Sequence, residues 1–469
     1  MSSDARVSRK VALSPYFTIA AAAFGLISDG YQNNLMTMSN VVFKKLYPKD
    51  YTSDVSTRVS NSLLVGKRYD GAIIGQVVVG LICDRVGRKA ALVITTALIV
   101  LGATLATAAH GAHGSASGLF WFLTFARGIT GIGVGGEYPA SSTSASEAAN
   151  EKTVKHRGPV FIMVTNFVLS FGGPLAVSMF LLVISAAGEN HLHTVWRVCF
   201  GIGILLPLTV FYFRMRMFTT ALYQKGAIKQ HVPYRLIIKR YWKPLSGTCG
   251  AWFLYDFVTF PNGVFSGTII SSIIKDGDIK RTAEWQLLLG ALALPGVFVG
   301  ALLCNPLGRR NTMMVGFSGY LIFGLIIGLA YDKITHIIPL FVIFYGLMQS
   351  FGNLGPGDML GLVSAESYPT AIRGTCYGIS AAVGKAGAAV GTQAFTPIQE
   401  HLGKKWTFII AAVCGTTGIL VTYFFVPDMT GVDFVDVDRK FMEYLAEHNW
   451  DGAVGEAKSE VSSSTEVKD

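Results

Sequence analysis

Twelve long apolar stretches, bounded by charged residues, Gly or Pro, limit what this chain can fold into. A bilayer core about 30 Å thick requires about 20 mostly apolar residues in each spanning helix, and every stretch is close to or above that length. A single soluble core could not use the apolar residues of a chain that is 51% hydrophobic and 14% charged. The sequence therefore predicts an all-α membrane protein with twelve transmembrane helices, at 13–42, 61–83, 90–110, 119–142, 158–184, 196–214, 246–274, 284–304, 312–331, 336–362, 373–397 and 405–426.

The distribution of positive charge predicts how these helices are oriented. Between Arg214 and Lys243 there are eight Lys or Arg residues and no acid, which is typical of a cytoplasmic loop. The basic segments 84–89, 151–158 and 305–311 fall on the same side in an alternating topology, so both termini are expected in the cytoplasm. Because these residues separate membrane spans, the net charge of +10 does not indicate a nucleic-acid partner.

The termini, the cysteines and the histidines further limit the class of protein that this sequence predicts. The first apolar stretch carries Asp29 and no small-residue cleavage site follows it, so we expect it to remain as the first helix. The six cysteines lie within or beside apolar stretches and are predicted to be packing residues. The tail after Pro427 has eleven acids against four Lys or Arg, and we expect its last dozen residues to be disordered. No histidine pair or nucleotide-binding loop occurs at ligand spacing, so no metal, cofactor or enzymatic activity is predicted.

The chain contains a degraded internal repeat. The segment "CDRVGRK" at 83–89 recurs as "CNPLGRR" at 304–310, and "SEAANEKTVKHRG" at 146–158 has an echo in "AESYPTAIRG" at 365–374. Such a repeat predicts two six-helix pseudo-repeats with a substrate site between them near the membrane midplane. We therefore expect a cytoplasmic N-terminus, an N-terminal bundle, a basic cytoplasmic loop, a C-terminal bundle and an acidic cytoplasmic tail, at 1–12, 13–214, 215–245, 246–427 and 428–469, respectively.

The segment "GLICDRVGRK", after the second span, is similar to the signature of the major facilitator superfamily. Asp84 can cap a helix end or pair with a basic residue, while Arg85 and Arg88 hold the loop in the cytoplasm. Together with Arg127, these residues are assigned to a structural and gating motif. The resemblance implies the major facilitator fold and carries no information about a substrate.

Nine ionisable residues lie inside the predicted spans, where each charge costs roughly 2.5–3.5 kcal/mol at the helix centre. Acidic and basic residues are both present, which favours a functional role or mutual ion pairing over chance occurrence. They are Asp29, Lys67, Arg68, Asp70, Arg127, Glu137, Asp256, Asp358 and Lys385.

The fourth span, "ARGITGIGVGGEYPASSTSASE", combines five glycines with a break at Pro139 beside Glu137 and Tyr138. Two interpretations remain open for it. The helix can be packed through its glycines with Glu137 paired locally, or it can face a cavity in which Glu137 accepts a proton and Tyr138 binds an anion.

The seventh span, "GAWFLYDFVTFPNGVFSG", places Trp252 and Asp256 four residues apart on one helical face. Its aromatic residues alone would suit a lipid-facing or core helix. The acid, together with the helix break at Pro261, Asn262 and Gly263, favours a cavity instead, because freed backbone groups are tolerated where they line one.

Lys385 lies in "GISAAVGKAGAAVG" of the eleventh span, about 18 Å from either boundary at 1.5 Å per residue. That depth is too great for the lysine to reach the membrane surface, so it should face the interior. A buried cation requires an acid or an anionic ligand. A purely structural pair with Asp256 is one interpretation, and an anion site in which Asp256 compensates Lys385 when no anion is bound is the other.

The stretch Lys67-Arg68-Tyr69-Asp70 interrupts the second span and fits neither half of this scheme. It can lie near the outer mouth with access to water or be an insertion that shifts the helix register. We favour an insertion at the outer end.

Several of these motifs together resemble the phosphate:proton symporter branch of the superfamily. They are "GIGVGGEYPASSTSASE" with the following "HRG", "WFLYD" and "GISAAVGKAG", and the resemblance covers about residues 15–427. It implies that Asp29 and Glu137 lie on the proton path, and that the phosphate group is surrounded by Tyr138, Asn166, Trp252, Asp256 and Lys385.

Departures from that branch resemble the fungal glycerophosphodiester permeases, in particular those for glycerophosphoinositol. Gln32 stands where phosphate carriers tend to have a second acid, Phe260 replaces a tyrosine, and "GNLGPGDMLG" occupies the tenth span. A diester is larger than phosphate and carries one negative charge, so Asp358 and Asn262 are predicted to contact its alcohol.

The resemblance implies a monomeric plasma-membrane transporter that imports a phosphodiester with protons. Glycerophosphoinositol or glycerophosphocholine would be its substrate. An inorganic phosphate:proton symporter and a non-transporting nutrient sensor on the same fold remain as alternatives.

Overall fold

A computed structural model describes residues 3–64, 71–152, 155–215, 221–228, 232–274 and 278–450. These ranges form helices and contain no strand. Two short π-helical turns, Met163–Phe167 and Asn353–Gly357, connect α6 to α7 and α14 to α15. In chain order the helices are α1 (Ser3–Leu46), α2 (Ser53–Asn61), α3 (Gly71–Arg85), α4 (Arg88–Thr107), α5 (Ala116–Lys152), α6 (Arg157–Ile162), α7 (Val168–Ala187), α8 (Leu192–Met215), α9 (Ala221–Gly226), α10 (Tyr234–Ser271), α11 (Ile279–Leu303), α12 (Arg309–Leu329), α13 (Tyr331–Thr335), α14 (Ile338–Gly352), α15 (Asp358–Glu366), α16 (Arg373–His401), α17 (Lys405–Phe425) and α18 (Phe434–Glu447).

Twelve helical segments of the described chain correspond to the predicted spans. They are α1, α3, α4, α5, α6 with α7, and α8 in the first half, then α10, α11, α12, α14 with α15, α16 and α17 in the second half. Eight of them are long and apolar enough to cross a membrane by length and composition alone. In the described residues α3 is short, and α1, α10 and α16 carry the charged, polar and small residues that line the interior.

Several helices are longer than their apolar windows. Hydropathy marks only the part of a helix inside hydrocarbon, whereas the hydrogen-bond ladder continues into the aqueous layer. The 38 residues of α10 extend about 57 Å, and the helix begins at Tyr234, inside the predicted basic loop. The Lys67–Asp70 stretch and residues 451–469 lie outside the described residues.

Glu147 of α5 joins the two halves at the end that carries the basic loops 84–89, 151–158 and 305–311. Its Oε1 accepts hydrogen bonds from Arg88 Nη2 at 2.7 Å, in its own half, and from Arg373 Nη1 at 3.0 Å, in the other half. All three side chains are buried. Charge-assisted bonds in such a setting are short and strong, so they hold these ends of α5 and α16 together.

Glu366 of α15 repeats this arrangement in the second half. It binds Arg309 of its own half at 3.1 Å and Arg157 of the first half at 2.7 Å. The repeat offset that aligns Cys83 with Cys304 also aligns Arg88 with Arg309. The internal repeat in the sequence is therefore visible as two symmetry-related ion-pair networks.

Asp84 links the first-half loop to the N-terminus of α16. Its carboxylate accepts hydrogen bonds from the backbone N–H groups of Gly374 at 2.9 Å and Thr375 at 2.6 Å, and from Arg88 at 2.6 Å. It thus caps a helix end and pairs with a base, as the signature predicts. Arg85 is exposed and donates to the hydroxyl of Tyr234 at 2.6 Å.

The described part of the acidic tail forms α18, which packs over these networks. Phe434 is buried between the guanidinium groups of Arg157 and Arg373, which lie 4.2 Å and 3.9 Å from its ring centre. Asp438 accepts hydrogen bonds from the N–H of Thr370 at 2.6 Å and its hydroxyl at 2.7 Å. Burial raises the pKa of the Asp438 carboxyl above its ordinary value.

Hydrogen bonds join the halves at the opposite end, one of them from Ser53 to the carboxylate of Glu400 at 2.6 Å. Thr37 of α1 donates to the carbonyl of Gly263 at 3.2 Å, and the hydroxyls of Thr57 and Thr396 lie 3.0 Å apart. The halves therefore meet at both ends and leave a cavity between them.

Candidate substrate-binding site

A cavity of about 220 Å³ lies between the two halves. Its wall is formed by α1, α5, α7 and the first π-turn on one side, and by α10, α11, α14, α15, α16 and the second π-turn on the other. Five of the predicted substrate-binding residues line it, namely Tyr138, Asn166, Trp252, Asp256 and Lys385.

Lys385 and Asp256 form an ion pair in the cavity wall. The lysine Nζ donates to Asp256 Oδ2 at 2.8 Å, and the two side chains are only 9% and 7% exposed. The pairing expected from the sequence is therefore present. Lys385 Nζ also lies 5.1 Å from the ring centre of Tyr138, so the cation interacts with an aromatic face as well.

Small residues around Lys385 bring α16 against α10. A Cβ at Gly384 would collide with the ring of Trp252, and one at Gly387 would collide with the backbone of Phe253. This close approach places the lysine stem between the helices and directs its ammonium group to Asp256. The run of small residues in the sequence thus serves to position one cation.

Asn166 and Asp358 interact across the interface between the halves. Asn166 lies in the first π-turn and donates through Nδ2 to Asp358 Oδ1 at 2.7 Å. Asp358 is 1% exposed and is absent from the cavity wall, so the structure does not support the predicted direct contact with an alcohol. Its bond orients the Asn166 amide, which does face the cavity.

Asn262 also lies behind the cavity wall. Its side chain donates to the carbonyl of Val258 at 2.7 Å and accepts from the hydroxyl of Tyr345 at 3.0 Å. These bonds hold α10 against α14 and occupy the amide. The helix break predicted here is absent, since α10 continues through Pro261 without interruption.

Glu137 is fully buried and points into the first-half bundle, away from the cavity. It forms an ion pair with Arg214 of α8 and accepts hydrogen bonds from Thr95 at 2.8 Å and Ser141 at 2.5 Å. A Cβ at Gly25 of α1 would collide with this ion pair. Of the two interpretations of the fourth span, the structure contains the pairing, although the partner is distant in sequence.

Arg214 is the residue that the sequence analysis misplaces. It counts among the basic residues of the predicted loop, yet its side chain is 1% exposed inside the bundle. The position of a residue at the end of a span gives no information on which way its side chain turns. The signal that could have identified it is the unmatched acid Glu137, which requires a nearby cation.

Asp29 is fully buried in α1 beside this pair, and neither of its oxygens has a hydrogen-bond partner among the described residues. Its charge interacts with those of Glu137, Arg214 and Lys385. The next residue, Gly30, lines the cavity. Asp29 is therefore the carboxyl group of the first half that is close to the cavity and lacks a hydrogen-bonded counter-ion.

Arg127 occupies a separate place in α5. It is 1% exposed, its Nε and Nη1 have no hydrogen-bond partner, and its guanidinium lies 5.9 Å from the ring centre of Phe200. Among the described contacts, it takes no part in the networks of Asp84 and Arg88. Within the residues that the structure describes, no three His, Cys, Asp or Glu side chains are placed to hold a metal ion.

Residues 16–441 match the family described as "Sugar (and other) transporter". The chain belongs to this family. Glycerophosphoinositol permease 1 of Candida albicans is 54% identical over 453 residues, which cover 96% of this chain and 86% of the relative. Glycerophosphoinositol transporter 1 of Saccharomyces cerevisiae is 53% identical over 441 residues, covering 93% and 84%, respectively.

Among solved structures, the proton:xylose symporter XylE of the major facilitator superfamily has a similar fold. The TM-score is 0.75 at 16% identity, and the match covers 92% of this chain and 99% of XylE. The predicted twelve-helix major facilitator fold, with its two six-helix pseudo-repeats, is confirmed. This family member is a multi-pass membrane transporter.

Removing either member of the Glu137–Arg214 pair leaves a buried charge without compensation, which costs about 3 to 5 kcal/mol. We expect Arg214→Met and Glu137→Gln each to lower the unfolding temperature of the detergent-purified protein. The double variant should lose less than the sum of the two, because it buries no isolated charge.

Arg235→Met is the matched control, since Arg235 is an exposed member of the same basic stretch. Its unfolding temperature should equal that of the wild type. Additive losses in the double variant would contradict the pairing.

Proposed function

We propose that this transporter imports glycerophosphodiesters together with protons across the plasma membrane. Glycerophosphoinositol is its main substrate in this proposal, and glycerophosphocholine is a further candidate. The observation that carries the proposal is a buried lysine, Lys385, held by an acid in a cavity shared by both halves. In this proposal the protein acts as a monomer with both termini in the cytoplasm, and it consists of the two bundles, the basic loop and the acidic tail predicted from the sequence.

Lys385 provides the positive charge for a phosphodiester. Asp256 neutralises it at 2.8 Å, and an arriving phosphate oxygen competes with that carboxylate for the ammonium group. Tyr138, Trp252 and Asn166 line the same cavity and supply a phenol, an indole and an amide as hydrogen-bonding groups. An anion held in this way is bound by charge and by directed hydrogen bonds.

The preference for a diester over inorganic phosphate has two supports. Two relatives are named for glycerophosphoinositol, and each is identical to this chain at more than half of its aligned residues. In addition, Gln32 stands in place of the second acid of phosphate carriers and donates to the carbonyl of Gly203 at 3.1 Å. One fewer charge in the first helix suits a monoanionic substrate.

Asp29 is the proton-binding group in this proposal. Glu137 is already neutralised by Arg214, whereas Asp29 has no hydrogen bond that would stabilise a charge. Its charge interacts with that of Lys385, so protonation of Asp29 changes the field at the substrate site. Glu137 contributes indirectly, through its effect on Asp29.

Alternating access follows from the unequal contacts at the two ends. Ion pairs close the cytoplasmic end, whereas hydrogen bonds join the other end, one of them from Ser53 to the carboxylate of Glu400. Opening to the outside breaks only the weaker set. Opening to the cytoplasm requires the arginines to leave Glu147 and Glu366, which the energy of substrate and proton binding can drive.

Labelled glycerophosphoinositol should accumulate in cells that express this protein, against its gradient and with faster uptake at acidic external pH. Excess inorganic phosphate should compete weakly, because it lacks the alcohol. Strong inhibition by low phosphate concentrations without accumulation of the diester would contradict the substrate assignment and favour phosphate symport.

Lys385→Met should abolish uptake, because the cavity loses its cation. The single variant leaves Asp256 unpaired, so the double variant Asp256→Asn with Lys385→Met serves as the control for folding, with wild-type abundance at the plasma membrane expected. Uptake at the wild-type rate by this double variant would refute the role of Lys385.

Asp29→Asn should reduce accumulation against a gradient while sparing exchange of labelled for unlabelled substrate, since the amide cannot carry the proton. The variant loses no hydrogen bond, so its abundance should equal that of the wild type. Glu137→Gln should show the same pattern more weakly. Equal loss of accumulation and exchange in Asp29→Asn would count against a coupling role.

A further inference from the structure

Four side-chain amides line one part of the cavity and have no role in the site described so far. They belong to Asn33 and Asn34 of α1, Gln286 of α11 and Asn353 of the second π-turn, and we call them the amide wall. Asn353 belongs to the "GNLGPGDMLG" segment of the tenth span, and none of the four is among the site residues predicted from the sequence.

The amide wall has unused hydrogen-bonding capacity. Gln286 is 8% exposed and makes no hydrogen bond to any residue that the structure describes, and its Oε1 is fully enclosed. Asn34 and Asn353 each donate one bond, to the carbonyls of Gly30 at 2.8 Å and Ala293 at 2.9 Å. A buried amide without partners is destabilising, so a position that retains one is a candidate ligand contact.

Gln286 lies closer to the end of its helix than Lys385 does. Gln286 is seven residues from the start of α11, about 10 Å, whereas Lys385 is sixteen residues from the end of α16, about 24 Å. The amide of Gln286 and the ammonium group of Lys385 therefore line different parts of the cavity.

Close packing of α7 connects the two helices of the wall. A Cβ at Gly173 would lie 3.4 Å from the Asn34 side chain, and one at Gly290 would lie 3.2 Å from the ring of Pro174. Gln286 is one helical turn before Gly290, so α1 and α11 present their amides on either side of the same segment of α7.

We propose that the amide wall binds the hydroxyl-rich ring of the alcohol esterified to the phosphate, and that it selects a cyclitol over a choline head group. Amides both donate and accept, as ring hydroxyls do. A free carboxylate would favour a quaternary ammonium group, whereas the acid in the described cavity wall, Asp256, is held by Lys385. This inference rests on the proposed function, and it replaces Asp358 and Asn262 as contacts of the alcohol.

Gln286→Leu tests it, with uptake of labelled glycerophosphoinositol and glycerophosphocholine measured in the same cells. We expect the KM for glycerophosphoinositol to rise about tenfold, as loss of one or two hydrogen bonds predicts. The KM for glycerophosphocholine and the inhibition constant of inorganic phosphate should stay within twofold of the wild type. Asn33→Leu also removes a side-chain amide of the wall and should raise the ratio of the KM for glycerophosphoinositol to the KM for glycerophosphocholine. It provides the test if Gln286→Leu does not reach the membrane.

Gln76→Leu is the matched control, because Gln76 is a buried glutamine of α3 with an unpartnered amide away from the cavity wall. It should leave the ratio of the two KM values unchanged. A wild-type ratio in both Gln286→Leu and Asn33→Leu, or an equal loss for both diesters, would overturn the amide wall and leave the proposed function standing. If the wild-type protein takes up neither diester, the proposed function itself fails.

Discussion

Lys385 and Asp256 attract each other in the interior of a membrane protein, where an isolated charge of either sign would be strongly destabilising. The rest of the site depends on this pair. The small residues of α16 allow the lysine to reach Asp256, and the helices that carry the two charges, α10 and α16, are among those too polar to pass as spans on composition alone. An ion pair in a cavity wall can be opened by a competing anion, whereas a fully enclosed one such as Glu137–Arg214 cannot be reached by solute. The two pairs therefore have different functions although their chemistry is similar.

The contacts between the two halves also differ between the two ends of the protein. At the end that carries the basic loops, Glu147 and Glu366 each bind one arginine from their own half and one from the other, and α18 covers both networks with Phe434. At the opposite end the halves meet through hydrogen bonds, between Thr37 and Gly263, between Thr57 and Thr396, and from Ser53 to the carboxylate of Glu400. Because each glutamate has one arginine from its own half, it keeps a partner after the halves separate. The symmetric arrangement thus limits the free-energy cost of separating the halves at this end. Separation still requires one arginine to leave each glutamate.

Hydropathy and the internal repeat were sufficient to predict the fold, because span length and repeat offset depend only on residue order. Motifs identify the five predicted substrate-binding residues that line the cavity, since Tyr138, Trp252 and Lys385 stand in recognisable contexts. These sequence signals do not predict the direction in which a side chain points. Arg214 looked like a loop residue, Asn262 and Asp358 looked like cavity residues, and each turns the other way because of contacts with partners distant in sequence. Gln286 carried a usable signal that was overlooked, a lone amide inside an apolar span.

A structure determined with glycerophosphoinositol bound would test the central claim most directly. The account predicts a phosphate oxygen about 2.8 Å from Lys385 Nζ, with the ammonium group withdrawn from Asp256. Lys385 still bonded to Asp256, with the phosphate held elsewhere in the protein, would contradict it.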